Sequence, residues 1–259
     1  MSRVLLPRQR ANVVWFDVVD STNELASRLM ASWMSGEESA LPDTIVVAKT
    51  QTAGRGRGNN TWQSPPGGLY ATWLAWVPMT KLALVPLAAG AALADAVEEV
   101  LPGVRVGLKW PNDLQVEGRK LGGVLCQSRS RDGMVWVMVG FGVNVGRDPM
   151  LPPGDVVRPT SLRKLGLKGR ADAAAGKVLA AFFARIHGML DAPAPTLAAW
   201  KARMVHRRGD PMRLRLPGGV VEGTFARLGD DGQLELEVDG ELRQFASGEL
   251  IQDVAKTGE

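Results

Sequence analysis

Cysteine, histidine and tyrosine are scarce: the 259 residues contain one cysteine, Cys126, two histidines, His187 and His206, and a single tyrosine. A lone cysteine excludes an intrachain disulfide and fits a reducing compartment. Cys126 alternates with apolar residues, so it reads as a small core hydrophobe rather than a nucleophile. Two histidines cannot build a histidine-rich metal site. A Ser-His-Asp triad would need one of them, yet His187 falls inside a helical pattern beside Ile186, where packing or surface exposure is the simpler role. No uninterrupted apolar stretch approaches ~18 residues, so no spanning helix is expected. The apolar run within the first ten residues is too short for a signal peptide. Net charge is also small, at +4. Such an excess suits anionic ligands but does not by itself argue for nucleic acid. A soluble, cytoplasmic chain with no membrane partner is expected. Its length permits one large domain, or one large and one small. A chain of this size buries roughly 70–75% of its unfolded surface, so it needs neither disulfide nor structural metal.

Glycine and arginine, by contrast, are concentrated in one place. In Thr50–Trp62 they alternate as Gly54, Arg55, Gly56, Arg57 and Gly58. Glycine allows close approach to the main chain, and arginine offers a planar fork for phosphate or carboxylate oxygens. The pattern predicts a loop that closes over an anion. A β-branched run, Thr44–Val47, leads into it, and Trp62 lies just beyond. It is not a Walker A loop, because no Gly-Lys-Ser/Thr follows. Nor is it the dinucleotide fingerprint, since no helical pattern begins at its end.

In chain order, Val13–Val19 reads as a strand, the first, preceded by about a dozen residues. Ser21 and Glu24 form a capping-box pattern ahead of a helix bearing Leu25, Leu29, Met30 and Trp33. Strands are expected at Ile45–Ala48 and Leu69–Val77, then a helix over Leu84–Val100 with Pro86 in its first turn. A strand running into Pro111 is followed by a hairpin, Leu114–Val116 and Lys120–Gln127 around Glu117-Gly118, and by a strand from Met134 to Val145. Residues 146–160 read as a loop. Ser161 should start a short helix, Ala171–Leu190 a long one, and Ala192–Pro195 should break it before a last helix capped by Thr196. This hairpin-rich order argues for a mainly antiparallel sheet with helices on one face, an α+β domain. From Met212 onward, short period-two strands separated by glycine-rich turns predict a small β-barrel, with the boundary near Arg207–Gly209.

Strand ends carry Lys49, Gln51, Lys109, Asp113 and Lys120, with the Gly/Arg loop between them. Taken singly, each has a bland reading: an edge lysine, a turn residue after proline, a helix cap at Ser21–Asn23. Gathered together, they suggest a cleft for an activated anionic molecule.

Ser21–Asn23, Gly54–Arg57 with Trp62, Lys109–Asp113, Lys120–Gly123 and Gly140–Asn144 together resemble the ordered motif set of biotin–protein ligases. Thr160–Leu162 and Ser247–Glu249 match weaker patterns of that family. The resemblance implies a class II synthetase-like α+β catalytic domain over residues 1–206. It also implies a C-terminal SH3-like β-barrel over residues 207–259. It implies that biotin and ATP, with Mg2+ carried by the nucleotide and no protein-only metal site, give biotinyl-5′-adenylate. A lysine of a biotin carboxyl carrier protein then takes the biotin. By resemblance Lys120, Arg55 and Asp113 are catalytic. Ser21, Thr22, Asn23, Gln51, Gly56 and Arg57 join Arg55 and Lys120 around biotin. Gly54, Arg55, Arg57, Trp62, Asn112, Lys120 and Asn144 serve ATP and the adenylate. Some relatives carry an N-terminal DNA-binding domain; the short stretch before the first strand leads us to expect none here, and no DNA partner. Exposed sheet edges allow a homodimer. Two positions depart from the family pattern. Asn60 stands where relatives often have a third loop arginine, and the tail through Gln252 lacks the arginine that often follows Ser247–Glu249. Lipoate–protein ligase shares the core but not this loop, and a biotin-sensing module without turnover is the remaining alternative.

Overall fold

Alternation along the central strands produces two apolar surfaces. Ile45, Val47, Ala71, Trp73, Val139 and Phe141 point to one face, and Val46, Leu74, Trp136 and Met138 to the other. A sheet apolar on both sides must be covered on both sides. The computed structural model describes residues 2–5, 10–34, 43–58, 60–131, 134–150 and 158–251, with backbone alone at 2–5, 10, 131 and 134. Residues 151–157 of the expected loop, and Gln252, lie outside these.

The larger sheet has eight strands in the order β1-β2-β3-β4-β8-β7-β6-β5. They are β1 (Ser2–Leu5), β2 (Arg10–Val19), β3 (Thr44–Gln51), β4 (Leu69–Pro78), β5 (Gly107–Lys109), β6 (Asp113–Val116), β7 (Arg119–Arg131) and β8 (Met134–Val143). Within it β2 and β3 run parallel and the remaining neighbours antiparallel, so the sheet is mixed. The β6–β7 hairpin turns at Glu117 and Gly118, with φ of 50° and 71°, the backbone a two-residue hairpin requires.

α2 (Val85–Val100) and α3 (Ala171–Asp191) cover one face. The small residues Ala88, Ala91 and Ala92 of α2 are fully buried and let the helices approach closely. The segments Met79–Val100 and Ala171–Asp191 have the length and hydropathy to cross a membrane, but at least half of each apolar window is buried inside the fold. They are core helices. α1 (Thr22–Met34) packs on the opposite face through Ala26 and Met30, against Val46, Leu74, Trp136 and Met138. Helices therefore flank the sheet on both sides, not on one as the hairpin order suggested.

Three other expectations are corrected. The first strand is β1, not Val13–Val19; four residues of mixed polarity before Pro7 give little periodicity to read. Ser161 opens a single turn rather than a helix, which ends at Gly166 with φ of 106°. The Ala192–Pro195 stretch does break the long helix, at Ala192, but the last helix begins earlier than Thr196: α4 (Pro193–Arg203) takes Pro193 in its first turn, where a missing N–H costs nothing. Thr196 lies inside that turn, and its hydroxyl donates to the Met189 carbonyl at 2.7 Å.

The remaining strands, β9 (Pro211–Leu216), β10 (Gly219–Leu228), β11 (Leu234–Val238), β12 (Glu241–Phe245) and β13 (Glu249–Leu250), form a five-stranded antiparallel sheet in the order β12-β11-β10-β9-β13. Leu214, Leu234 and Leu236 are fully buried in its core. The connector leading to it adds to the larger sheet: Met204 bridges Leu108 of β5, and the Val205 N–H donates to the Leu108 carbonyl at 3.0 Å.

Candidate active site

On the α1 face, the Gly/Arg loop, the β5–β6 turn and the start of β7 enclose a cavity of about 660 Å³, closed on one side by β9 and β13. The volume suits a small-molecule site. Its wall includes Ser21, Thr22, Asn23, Gln51, Arg55, Gly56, Arg57, Trp62, Lys109, Asn112, Asp113, Lys120 and Asn144. Of the residues singled out from sequence, Gly54 and Lys49 are not on it. Gly54 is a point of close approach at the base of the loop: its carbonyl accepts the Trp62 N–H, and a Cβ there would meet the Trp62 carbonyl at 2.4 Å. Lys49 pairs with Asp17 on the surface at 2.6 Å.

One end of the cavity is neutral and wired. Ser21, Thr22 and Asn23 are buried, and they do more than start α1. Gln51 accepts from the Thr22 N–H at 2.8 Å and from its hydroxyl at 3.1 Å, and donates to Ser64 at 2.7 Å. Thr72, in the middle of β4, donates to the Asn23 side-chain amide oxygen, Oδ1, at 2.7 Å and lies 2.9 Å from the Thr22 hydroxyl. The expected capping box does not form. Glu24 reaches Arg55 instead, and the Ser21 N–H donates to the Asp20 carboxylate at 2.7 Å.

The other end is charged. Lys120 sits on an interior strand, not at an edge, and pairs with Asp113 at 2.7 Å. Its ammonium stands 5.6 Å from the centre of the Trp62 ring, a cation–π geometry. Thr160 donates its N–H to the Lys120 carbonyl, and the Asn144 amide donates to Thr160 and Lys120 carbonyls at 3.0 and 3.4 Å. The Asn112 amide donates to the Val124 carbonyl at 2.7 Å. Both asparagine amides are thus committed to holding β7 in place. Burial pushes the Lys109 and Arg57 pKa values below their ordinary values, opposed in each case by the nearby Asp113 and Glu249 carboxylates. Cations that have lost water favour an incoming anion. Arg57 also donates to the Gly248 carbonyl at 2.8 Å, and Asn60 to Glu249 at 3.0 Å. The loop is therefore tied to the C-terminal sheet.

Sequence reasoning missed Thr72 and Ser64, which carry no local signature, and read Glu24 only as part of a helix cap and Glu249 only as part of a weaker family pattern. Gly140 and Gly142, from the Gly140–Asn144 motif, fall two apart on β8, facing the cavity. A Cβ at Gly140 would overlap the Asn23 amide, and one at Gly142 would stand 2.5 Å from the Trp62 indole. Strand glycines at such spacing mark close approach. The Trp62 Nε1 is buried without a hydrogen-bond partner.

The other chemistries considered do not assemble. His187 bonds Asp43 at 2.6 Å and packs edge-on to Trp73 and Phe183. Cys126 packs against the main core, and burial pushes its thiol up to about 12, keeping it protonated. Among the described residues no three His, Cys, Asp or Glu side chains are grouped to hold a metal ion.

The model of the biotin/lipoate A/B protein ligase family matches residues 15–144. The chain is 34% identical to a biotin–[acetyl-CoA-carboxylase] ligase of Paracoccus denitrificans over 228 residues, 84% of this chain and 90% of that protein. It is 31% identical to the enzyme of the same name from Mycobacterium tuberculosis over 243 residues, 91% and 88% of the two. Among solved structures, the biotin protein ligase from Aquifex aeolicus in complex with biotin and ATP superimposes with a TM-score of 0.72 at 28% identity, covering 93% of this chain and 97% of that one. On the family match and this identity, the chain belongs to the biotin/lipoate A/B protein ligase family.

Proposed function

We propose that this chain is a biotin–[acetyl-CoA-carboxylase] ligase, forming biotinyl-5′-adenylate and passing the biotinyl group to a carrier lysine. One observation carries the reading. A single cavity joins a neutral hydrogen-bonding end, built on Thr22, Asn23, Gln51 and Thr72, to a cationic end, built on Lys120, Arg57 and Lys109. A ligand that is an uncharged ureido ring at one terminus and a carboxylate at the other fits that polarity.

In the first step a biotin carboxylate oxygen attacks the α-phosphorus of ATP. The α–β phosphoanhydride bond breaks and pyrophosphate leaves. Bringing a carboxylate against a polyanion requires fixed positive charge where they meet. Lys120 takes that role, with Arg55 released from Glu24 and Arg57 anchored at Gly248. Trp62 lies under the Lys120 ammonium and offers its N–H. ATP brings its own magnesium. The two carboxylates on the cavity wall, Asp113 and Glu249, are both engaged by cationic side chains. Asn112 and Asn144 act through the strand that bears Lys120.

In the second step the carrier amine attacks the acyl carbon and AMP leaves. Near pH 7 a free lysine is neutral in well under ~0.1% of molecules, so a proton acceptor is required. Asp113, paired with the Lys120 ammonium, would receive that proton. The catalytic unit would occupy residues 1–206, with a class II synthetase-like core. The C-terminal unit, 207–259, would be an SH3-like barrel, and the chain would work in the cytoplasm. The connector supports that division, since its pairing with the larger sheet ends at Val205. Pyrophosphate release on adding ATP with biotin, but not with lipoate, tests the reading. Release with lipoate alone, or with neither acid, would overturn it.

A further inference from the structure

We infer that Arg215 binds the polyphosphate end of ATP, brought into the site by the C-terminal sheet. The inference rests on the adenylating reading above. Arg215 lies on β9, outside residues 15–144 that match the family model, yet it lines the same cavity as Lys120 and Arg57. Its guanidinium is held 3.0 Å from one oxygen of Glu249, and the other oxygen of that carboxylate accepts from Asn60 of the Gly/Arg loop. With Arg57 on the Gly248 carbonyl, Gly248 and the adjacent Glu249 at the start of β13 connect the loop to Arg215.

The charges divide by exposure. Lys109, Arg57 and Lys120 are half-buried, and Lys120 is paired with the half-buried Asp113. Arg215 is 57% exposed, at the mouth. An exposed ion pair is weak and exchanges readily. A polyphosphate presents several charges and the oxygen geometry a guanidinium fork matches, so it competes well against one carboxylate. With the α-phosphorus at Lys120, the departing pyrophosphate must extend toward the mouth. A cation there binds ATP and stabilises the leaving group together.

Arg215 and Glu249 are also direct cross-strand partners, so their pair could serve the sheet alone. The test separates the two roles. Biotin-dependent ATP–pyrophosphate exchange is measured on the full chain and on Arg215→Met and Arg215→Lys, with melting curves for each. Arg215→Met is expected to raise the KM for ATP and for pyrophosphate about tenfold or more. Biotin affinity, and transfer from supplied biotinyl-adenylate to a carrier lysine, should stay within about twofold. Arg215→Lys should recover part of the loss. Glu249→Gln, which removes the competing carboxylate, should lower the KM for ATP, and it serves if Arg215→Met melts too early to assay. Normal ATP and pyrophosphate KM in a folded Arg215→Met, an equal loss in biotin affinity and transfer, or a higher ATP KM in Glu249→Gln would overturn the role. Those outcomes leave the ligase reading standing if the unmodified chain exchanges normally; no exchange by the unmodified chain would remove both.

Discussion

The two ends of the cavity are built on different principles. At the neutral end, side chains are buried and hydrogen-bonded to one another before any ligand arrives, through Gln51, Thr22, Thr72 and Asn23. At the charged end, Lys120 holds a half-buried pair with Asp113, while Arg215 and Arg55 pair with Glu249 and Glu24 at more exposed positions. A prewired network cannot easily adapt, so it selects shape and hydrogen-bonding pattern. Ion pairs near solvent exchange partners at low cost, so they accommodate a ligand whose charge changes during reaction. On the proposed reading, recognition and chemistry fall at opposite ends of one space.

Substitutions can break or sharpen that contrast. The largest effect is expected from Lys120→Ala, which should slow adenylate formation about 10²–10³-fold while leaving biotin affinity near normal. A loss confined to biotin affinity would erase the distinction between the ends. Asp113→Asn should slow transfer from supplied adenylate about 10²-fold and adenylate formation far less. Equal slowing of both steps would deny Asp113 a proton-accepting role. Thr72→Val leaves the Asn23 side-chain amide oxygen without its 2.7 Å donor. That should weaken biotin binding about tenfold and lower stability by about 1–3 kcal/mol, with the rate at saturating biotin nearly unchanged. Isothermal titration and denaturant unfolding would read the two quantities.

The smallest effect belongs to a group outside both ends. His206 lies near Lys109 and against Phe225, and burial lowers its pKa from 6.5 to about 4. The fold therefore prefers neutral His206. That contribution is complete above pH 6.5 and is lost as the pH falls toward 4. His206→Phe should flatten the decline in unfolding midpoint across this window; an unchanged decline would place its origin in other groups.

Much of this was legible in the residues. Helix and strand periodicity gave α2, α3 and the β6–β7 hairpin within a few positions, because burial on one side of an element writes itself into spacing. Gly-Arg alternation and the Lys109–Asp113 run marked the cavity for the same reason that they build it: charge and backbone freedom are local properties. Thr72 was not legible, since a threonine in an apolar strand looks like β-propensity until Asn23 is seen beside it. Glu24 read as half of a capping box, a local motif overridden by an arginine thirty-one positions away. The C-terminal wall was hidden for a similar reason. Ser247–Glu249 could be recognised as a pattern, but nothing in the chain says that β13 lies against residues 57 and 60.

The bridge between Leu108 and Met204 has a practical corollary. The connector behaves as a splice whose first two residues, Met204 and Val205, belong structurally to the upstream unit, at the position next to Lys109. Chimaeras that exchange C-terminal modules between relatives should therefore be joined after residue 206. A junction before 204 would unzip a margin of the sheet and let the neighbouring lysine drift, even if both halves folded perfectly.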